Sequence, residues 1–289
     1  MKKMYIFVLI ALFLIGLNSC TSHNVEIFEE NGKEYIYLGK QPNSLVEDQS
    51  LIRKLNLINN VNEQGYIEYN SVEYIKVIAE LDKRLDYDTV FKEGESYYFK
   101  VEPIKWEVIK NEGNYLTVLS ESFVSYFWFY ENNYKNGSIP YVRKINNESI
   151  KGNNYQYSTI RAYLNGYDGT SYEVSNFTNK GFYDIAFSNA ERKHIALSNV
   201  DNMEDYIYIL SAEEAREIGI ERLNDGIIDN PYYIALGATA YKFYLRTPGA
   251  QSTYLCEINR HQLYIGQTYG GSYCEFKAAM KVSLEQINK

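Results

Sequence analysis

Tyrosine-rich stretches of alternating apolar and polar residues stand at both ends of this chain, and its strongest helix-start signals lie between them. Alternation places every second side chain on one face, so such stretches form half-buried strands. A chain that begins and ends in strands must bring both ends into sheets and lay its helices against them. The expected fold class is therefore α+β: a single mixed domain of antiparallel sheets with two to four helices. Residues 34–42 (EYIYLGKQP) alternate and end at Pro42. Tyr66–Val77 reads as a hairpin turning at Asn70-Ser71, and Tyr97–Ile109 with Tyr115–Ser120 as a second pair around Glu112-Gly113-Asn114. Toward the far end, Phe243–Arg246, Tyr254–Ile258, Gln262–Ile265 and Phe276–Leu284 read as strands separated by glycine-rich turns.

Leu51, Ile52, Leu55 and Ile58 have helical spacing. Ser158 is placed to cap a helix carrying Ile160, Tyr163 and Leu164, stopped by Asn165-Gly166. Ser188 with Glu191, and Ser211 with Glu214, form capping boxes in which each side chain takes the other's free backbone N–H. Tyr206–Leu210 reads as a strand. Residues 125–157 show no sustained period and are expected to be a surface excursion. With no repeat and no Pro- or Ser-rich linker, residues 34–289 are expected to be one domain.

The start of the chain reads differently. Lys2 and Lys3 precede the apolar run Met4–Leu17, and Leu17-Asn18-Ser19-Cys20 follows. A charged start, a short apolar stretch and a small residue before a cut describe a secretory signal, and the run is too short to span a bilayer. An uncut anchor or an ordinary signal peptide are the alternatives. The segment resembles the bacterial lipobox, which implies a leader over 1–19, a diacylglycerol-bearing Cys20 as the mature N-terminus, and a polar tether over 20–33. Two or three acyl chains would give long-lived attachment. The expected location is extracytoplasmic, at the cell envelope or surface, with the membrane as a partner through the lipid.

A net charge of −8 argues against nucleic acid, whose phosphates demand clustered Lys and Arg. Thirty tyrosines fit strands and interaction surfaces, or a base composition that favours Tyr, Asn, Ile and Lys together. Cys256 and Cys274 fall on neighbouring predicted strands. An oxidising setting permits a disulfide between them, and two buried thiols are the alternative.

The ordered segments Tyr35–Pro42, Gly65–Val77, Tyr98–Ile109 (with PIKWEVI), Ser158–Gly169 (STIRAYLNGYDG), Phe187–Ile195, Tyr206–Ala215, Tyr244–Gly249 (YLRTPG) and Phe276–Leu284 (FKAAMKVSL) together resemble a bacterial family catalogued as domain of unknown function 6273. Trp106, Arg161, Leu164, Asn165, Leu245, Arg246, Pro248 and Gly249 match its pattern. Tyr163 and Tyr244 stand for Trp, Thr247 for Ser, and Lys277-Ala278 for Arg-Pro. The likeness covers about residues 35–284 and implies an architecture but no reaction. Its element order is also similar to the C-type-lectin-like fold, which implies paired terminal strands, two helices and a loop-bearing sheet. Fold does not fix function.

Chemistry-bearing patterns are sparse. His23, His194 and His261 have no ligand-spaced partner, so no zinc site is expected. No Gly-x-Ser-x-Gly elbow occurs. The acidic flanks of Cys256 and Cys274 argue against activated thiols. Asp201, Glu204 and Asp205, like Asp225 and Asp229, are expected to face solvent, not to gather calcium. No metal or cofactor is expected. Arg246 has two readings: a guanidinium that holds an adjoining loop by carbonyl or carboxylate bonds, or an anchor in an aromatic pocket. The candidate ligand-binding face is Tyr244, Arg246, Tyr269 and Tyr273, on a non-catalytic binding module for a glycan, protein or envelope component. The rival is an extracytoplasmic, hydrolase-like enzyme, which would show a carboxylate pair raised in pKa within a cleft. A purely structural protein would show neither cleft nor aromatic patch.

Overall fold

The computed structural model describes residues 25–85, 88–130, 142–224, 230–239, 242–259, 262–269, 271 and 273–285. Cys20, His23, Asp225, Asp229 and His261 lie outside them, as does the side chain of Tyr269. The fold is α+β, built on a nine-stranded antiparallel sheet. Its main path runs Phe28–Glu30, Lys33–Leu45, Ser96–Asn111, Tyr115–Ser120, Ala279–Ser283, Ile195–Ala196. The hairpin Ile67–Tyr69/Val72–Ile78 pairs with the first half of the long Ser96–Asn111 strand, and Ile207–Tyr208 pairs with Ala279–Ser283.

The long strand organises the core. Ile104, Trp106 and Val108 point inward in alternation, and the Trp106 indole donates to Leu38 O at 2.8 Å. Leu116, Val118, Met280 and Val282 complete that face from the neighbouring strands. Two smaller clusters sit beside it, one around Phe91 and Phe99 and one around Leu55, Ile67 and Tyr98.

Several expectations need correction. The first long strand does not stop at Pro42 but continues to Leu45, with register shifts after Tyr37 and after Pro42. Gly39 occupies the first shift with φ +72, and its N–H, released from the ladder, donates to Glu191 Oε1 at 2.8 Å. The tether is shorter than 20–33, because Phe28–Glu30 already pairs with Lys33–Tyr35 and Phe28 stacks on Tyr37. Residues 125–130 are not a surface excursion: Ser125–Trp128 pairs with Tyr273–Phe276, and Phe129 and Tyr130 are buried. Among the described residues there are seven α-helices, more than expected, and none exceeds seven residues. Those the sequence did not announce, such as Phe182–Ala186 and Pro231–Ala235, are single turns too short to show a period. The terminal strands share the sheet but are not paired, since three strands stand between Phe28–Glu30 and Ala279–Ser283. Among the described residues no helix is long and apolar enough to cross a membrane.

Candidate functional site: a tyrosine-lined cleft

The four residues expected to form one face do not do so. Tyr244 is buried against Phe276 and hydrogen-bonds the Cys274 sulfur, because the Lys242–Pro248 strand is covered on both faces. Arg246 is buried too. Its Nε donates to Asp201 Oδ2 at 2.8 Å, Nη1 to Ile209 O at 2.8 Å, and Nη2 to Glu214 Oε1 at 3.1 Å. It holds the Asp201 turn and the Ala212–Ile218 helix together and is not an open anchor. Of the members of that face whose side chains are described, Tyr273 is the exposed one, stacked on Tyr126 at 5.3 Å with Trp128 edge-on at 5.1 Å.

Cys256 and Cys274 are buried thiols on strands that do not pair with one another. Burial, reinforced by the Glu275 carboxylate, pushes the Cys274 thiol well above the ordinary thiol range. Asp205, expected at the surface, is fully buried. The Arg161 guanidinium makes this tolerable, with Nε 2.9 and 3.0 Å from the two carboxylate oxygens. Burial nevertheless raises the Asp205 pKa, against the pull of Arg161. His194 lies just past the Asn189–Arg192 helix, with Nδ1 3.3 Å from Ser283 O.

What the fold does assemble is a cleft of about 120 Å³ whose lining includes Gln41, Tyr66, Tyr163, Phe182, Tyr232 and Tyr233. Each wall has a local cause. Asn62 accepts from Tyr66 N at 2.9 Å and fixes the approach to the hairpin. Ser158 caps the Thr159–Asn165 helix by accepting from Arg161 N at 3.1 Å, and Tyr163 on that helix stacks on Phe127 at 4.8 Å. Asn230 caps the Pro231–Ala235 helix, with Pro231 at its first turn. The same asparagine donates to Pro42 O at 2.9 Å, docking Tyr232 and Tyr233 beside the strand that carries Gln41. Tyr233 then donates to Val124 O at 2.6 Å.

Gln41 is the polar feature of the wall. Its Nε2 donates to Phe123 O and to Ser122 Oγ, both at 3.2 Å. A carbonyl can only accept, so the amide orientation is fixed. Its Oε1 is left buried with no hydrogen-bond partner among the described residues. Burial, and the facing hydroxyls of the other tyrosines, hold Tyr66, Tyr163 and Tyr233 above the ordinary phenol range. They therefore stay protonated and act as neutral donors and acceptors. Among the described residues the one charged group lining the cleft is Lys40, ion-paired with Glu73, and no carboxylate lines it.

A different groove runs along the Ala212–Ile218 helix, lined by Asp201, Glu214, Glu217 and Arg246. Asp201 and Glu214 are committed there to Arg246. The carboxylates that burial raises, Asp184 and Asp205, line neither site. The fold and cleft thus define a mixed α+β protein with a neutral, hydroxyl-rich aromatic pocket. Comparison with family models, with curated proteins and with solved structures returned no match. The sequence did not single out Tyr66, Tyr232, Tyr233 or Gln41 as a site, since three tyrosines among thirty and one glutamine carry no local signal.

Proposed function

We propose that this chain is a non-catalytic binding module, held at the cell envelope by lipid on Cys20, and that the tyrosine-lined cleft takes one unit of a neutral glycan. The supporting observation is the lining: four phenols, an amide oxygen in want of a donor, and no carboxylate among the described residues. Sugars offer hydroxyls to such groups and an apolar ring face to such rings, and a buried acceptor left unpaired gains from a ligand that donates to it. A hydrolase would need an acid–base pair in the same cleft.

The test is a screen of the purified protein against envelope polymers and host glycans, repeated with Tyr66→Phe and Gln41→Leu. Binding should weaken about five- to tenfold for each variant, as expected for one lost hydrogen bond of about 1 kcal/mol. Absence of binding to every polymer, or equal binding by wild type and both variants, would sink the reading.

A further inference from the structure

Lys277 sits in the short link between the Tyr273–Phe276 and Ala279–Ser283 strands and lines a separate cleft of about 310 Å³. The side chain is buried, with Nζ 5.7 Å from the centre of the Phe243 ring. Charged groups surround the cleft, and every other cation there is matched. Lys33 and Arg222 both reach Glu107, at 3.3 and 2.7 Å. Lys105 lies between Glu30 and Glu121, at 2.9 and 3.1 Å, and over the Tyr35 ring. Among the described residues Lys277 alone of these cations has neither an ion pair nor a hydrogen bond. A buried ammonium without a partner is costly, and shedding its proton relieves the cost. Burial lowers the Lys277 pKa to about 8, with Lys33 acting in the same direction and Glu107 and Glu121 opposing. Near pH 7 about a tenth of this amine is then neutral and nucleophilic, a far larger fraction than for an exposed lysine, which titrates near 10.4.

We propose that Lys277 is a reactive amine that condenses with the carbonyl of a small aldehyde or ketone admitted to this cleft, forming a reversible imine. Neutral Nζ attacks the carbonyl carbon, and the two amine protons depart with the carbonyl oxygen as water. A C=N bond replaces C=O with no change of oxidation state, and hydrolysis reverses it. When the imine nitrogen takes a proton it becomes cationic, and the carboxylates of Glu107 and Glu121 favour that charge. Leu119 and Leu223 line the same cleft and supply an apolar wall for the carbon chain of the ligand.

The experiment treats the full-length protein in detergent with propanal and cyanoborohydride, which traps imines as stable amines, and maps adducts by peptide mass spectrometry across a pH series. Lys277 should label at least ~10-fold faster than the exposed lysines near neutral pH, since those titrate near 10.4, and its rate should rise with a midpoint near pH 8. Lys277→Arg keeps a cation but cannot form the imine, so the focal adduct should vanish while surface labelling persists. Labelling of Lys277 no faster than that of the exposed lysines, or only after denaturation, overturns the proposal. The comparison is made between lysines of one folded molecule, so it decides the matter even if the arginine variant fails to fold.

Discussion

Two buried cations show how the same charge can serve opposite ends. Arg246 is surrounded by acceptors and bonds to all of them, so it clamps a turn to a helix. A single lysine ammonium could not reproduce that fork. Lys277 has no such set, and its charge works against the fold. The folded chain releases this proton near pH 8, while the unfolded chain holds it to about pH 10.4. Between those values the unfolded state binds more protons, so stability from this group rises with pH through the window, and the full penalty is present below it. Lys277→Met conserves volume and removes the charge. The variant should be more stable than wild type by about 2–3 kcal/mol near pH 7, and the advantage should shrink toward zero near pH 10. Urea unfolding at the two pH values measures it. An advantage that is absent near neutrality, or independent of pH, contradicts the unpaired ammonium. A residue that costs stability and lines a cleft is where function is to be sought.

At the scale of elements, Asn165 ends the Thr159–Asn165 helix and also completes the Ile207–Tyr208 strand. Its Nδ2 donates to Ile207 O at 2.8 Å, and its Oδ1 accepts from Tyr206 N at 2.8 Å and Ile207 N at 3.0 Å. A side chain thus bonds the backbone as a neighbouring strand would. Asn165→Ala orphans these groups, and each buried unpaired one costs roughly 1–3 kcal/mol. The total loss should reach about 3 kcal/mol or more by thermal or urea unfolding, and a loss below about 1 kcal/mol would refute the bracing role. The sequence revealed the helix itself, because Ser158 and Gly166 are local signals and Gly166 takes the left-handed C-cap. It revealed the Asn70-Ser71 turn for the same reason, since both residues adopt positive φ. It did not reveal the strand bonds of Asn165, which reach 42 residues along the chain. Pro42 misled because a proline normally ends a strand, while here a register shift accommodates it. Ser125–Trp128 was missed because four residues are too few to show alternation and its partner strand lies far along the chain. The cleft was hidden by the same distance: its walls come from segments near residues 41, 66, 163 and 232, each unremarkable alone.

At the scale of the whole molecule, the proposed lipid and the observed fold together set a geometry. The first strand begins at Phe28, and stacking of Phe28 on Tyr35 and Tyr37 pins that end to the sheet. Val25 already packs against the main core, so only residues 21–24 separate a lipidated Cys20 from the domain, and four extended residues reach roughly 14 Å. The domain would ride close to the bilayer, with no long stalk, so its ligand must lie within or near the envelope surface. On the proposed reading, attachment rests on the lipidated sulfur once the leader is cut; among the described residues no helix is long and apolar enough to cross a membrane. Native protein should therefore partition with membranes, and mass spectrometry should find acyl chains on an N-terminal Cys20. Cys20→Ser should shift it either to an uncleaved, leader-held form or to the soluble fraction, with an unchanged circular dichroism melt, since the substituted position precedes every strand among the described residues. Wild-type protein that carries an unmodified sulfur, or that fractionates without membranes, would remove the envelope from the functional reading and leave the tyrosine-lined cleft to be explained in another compartment.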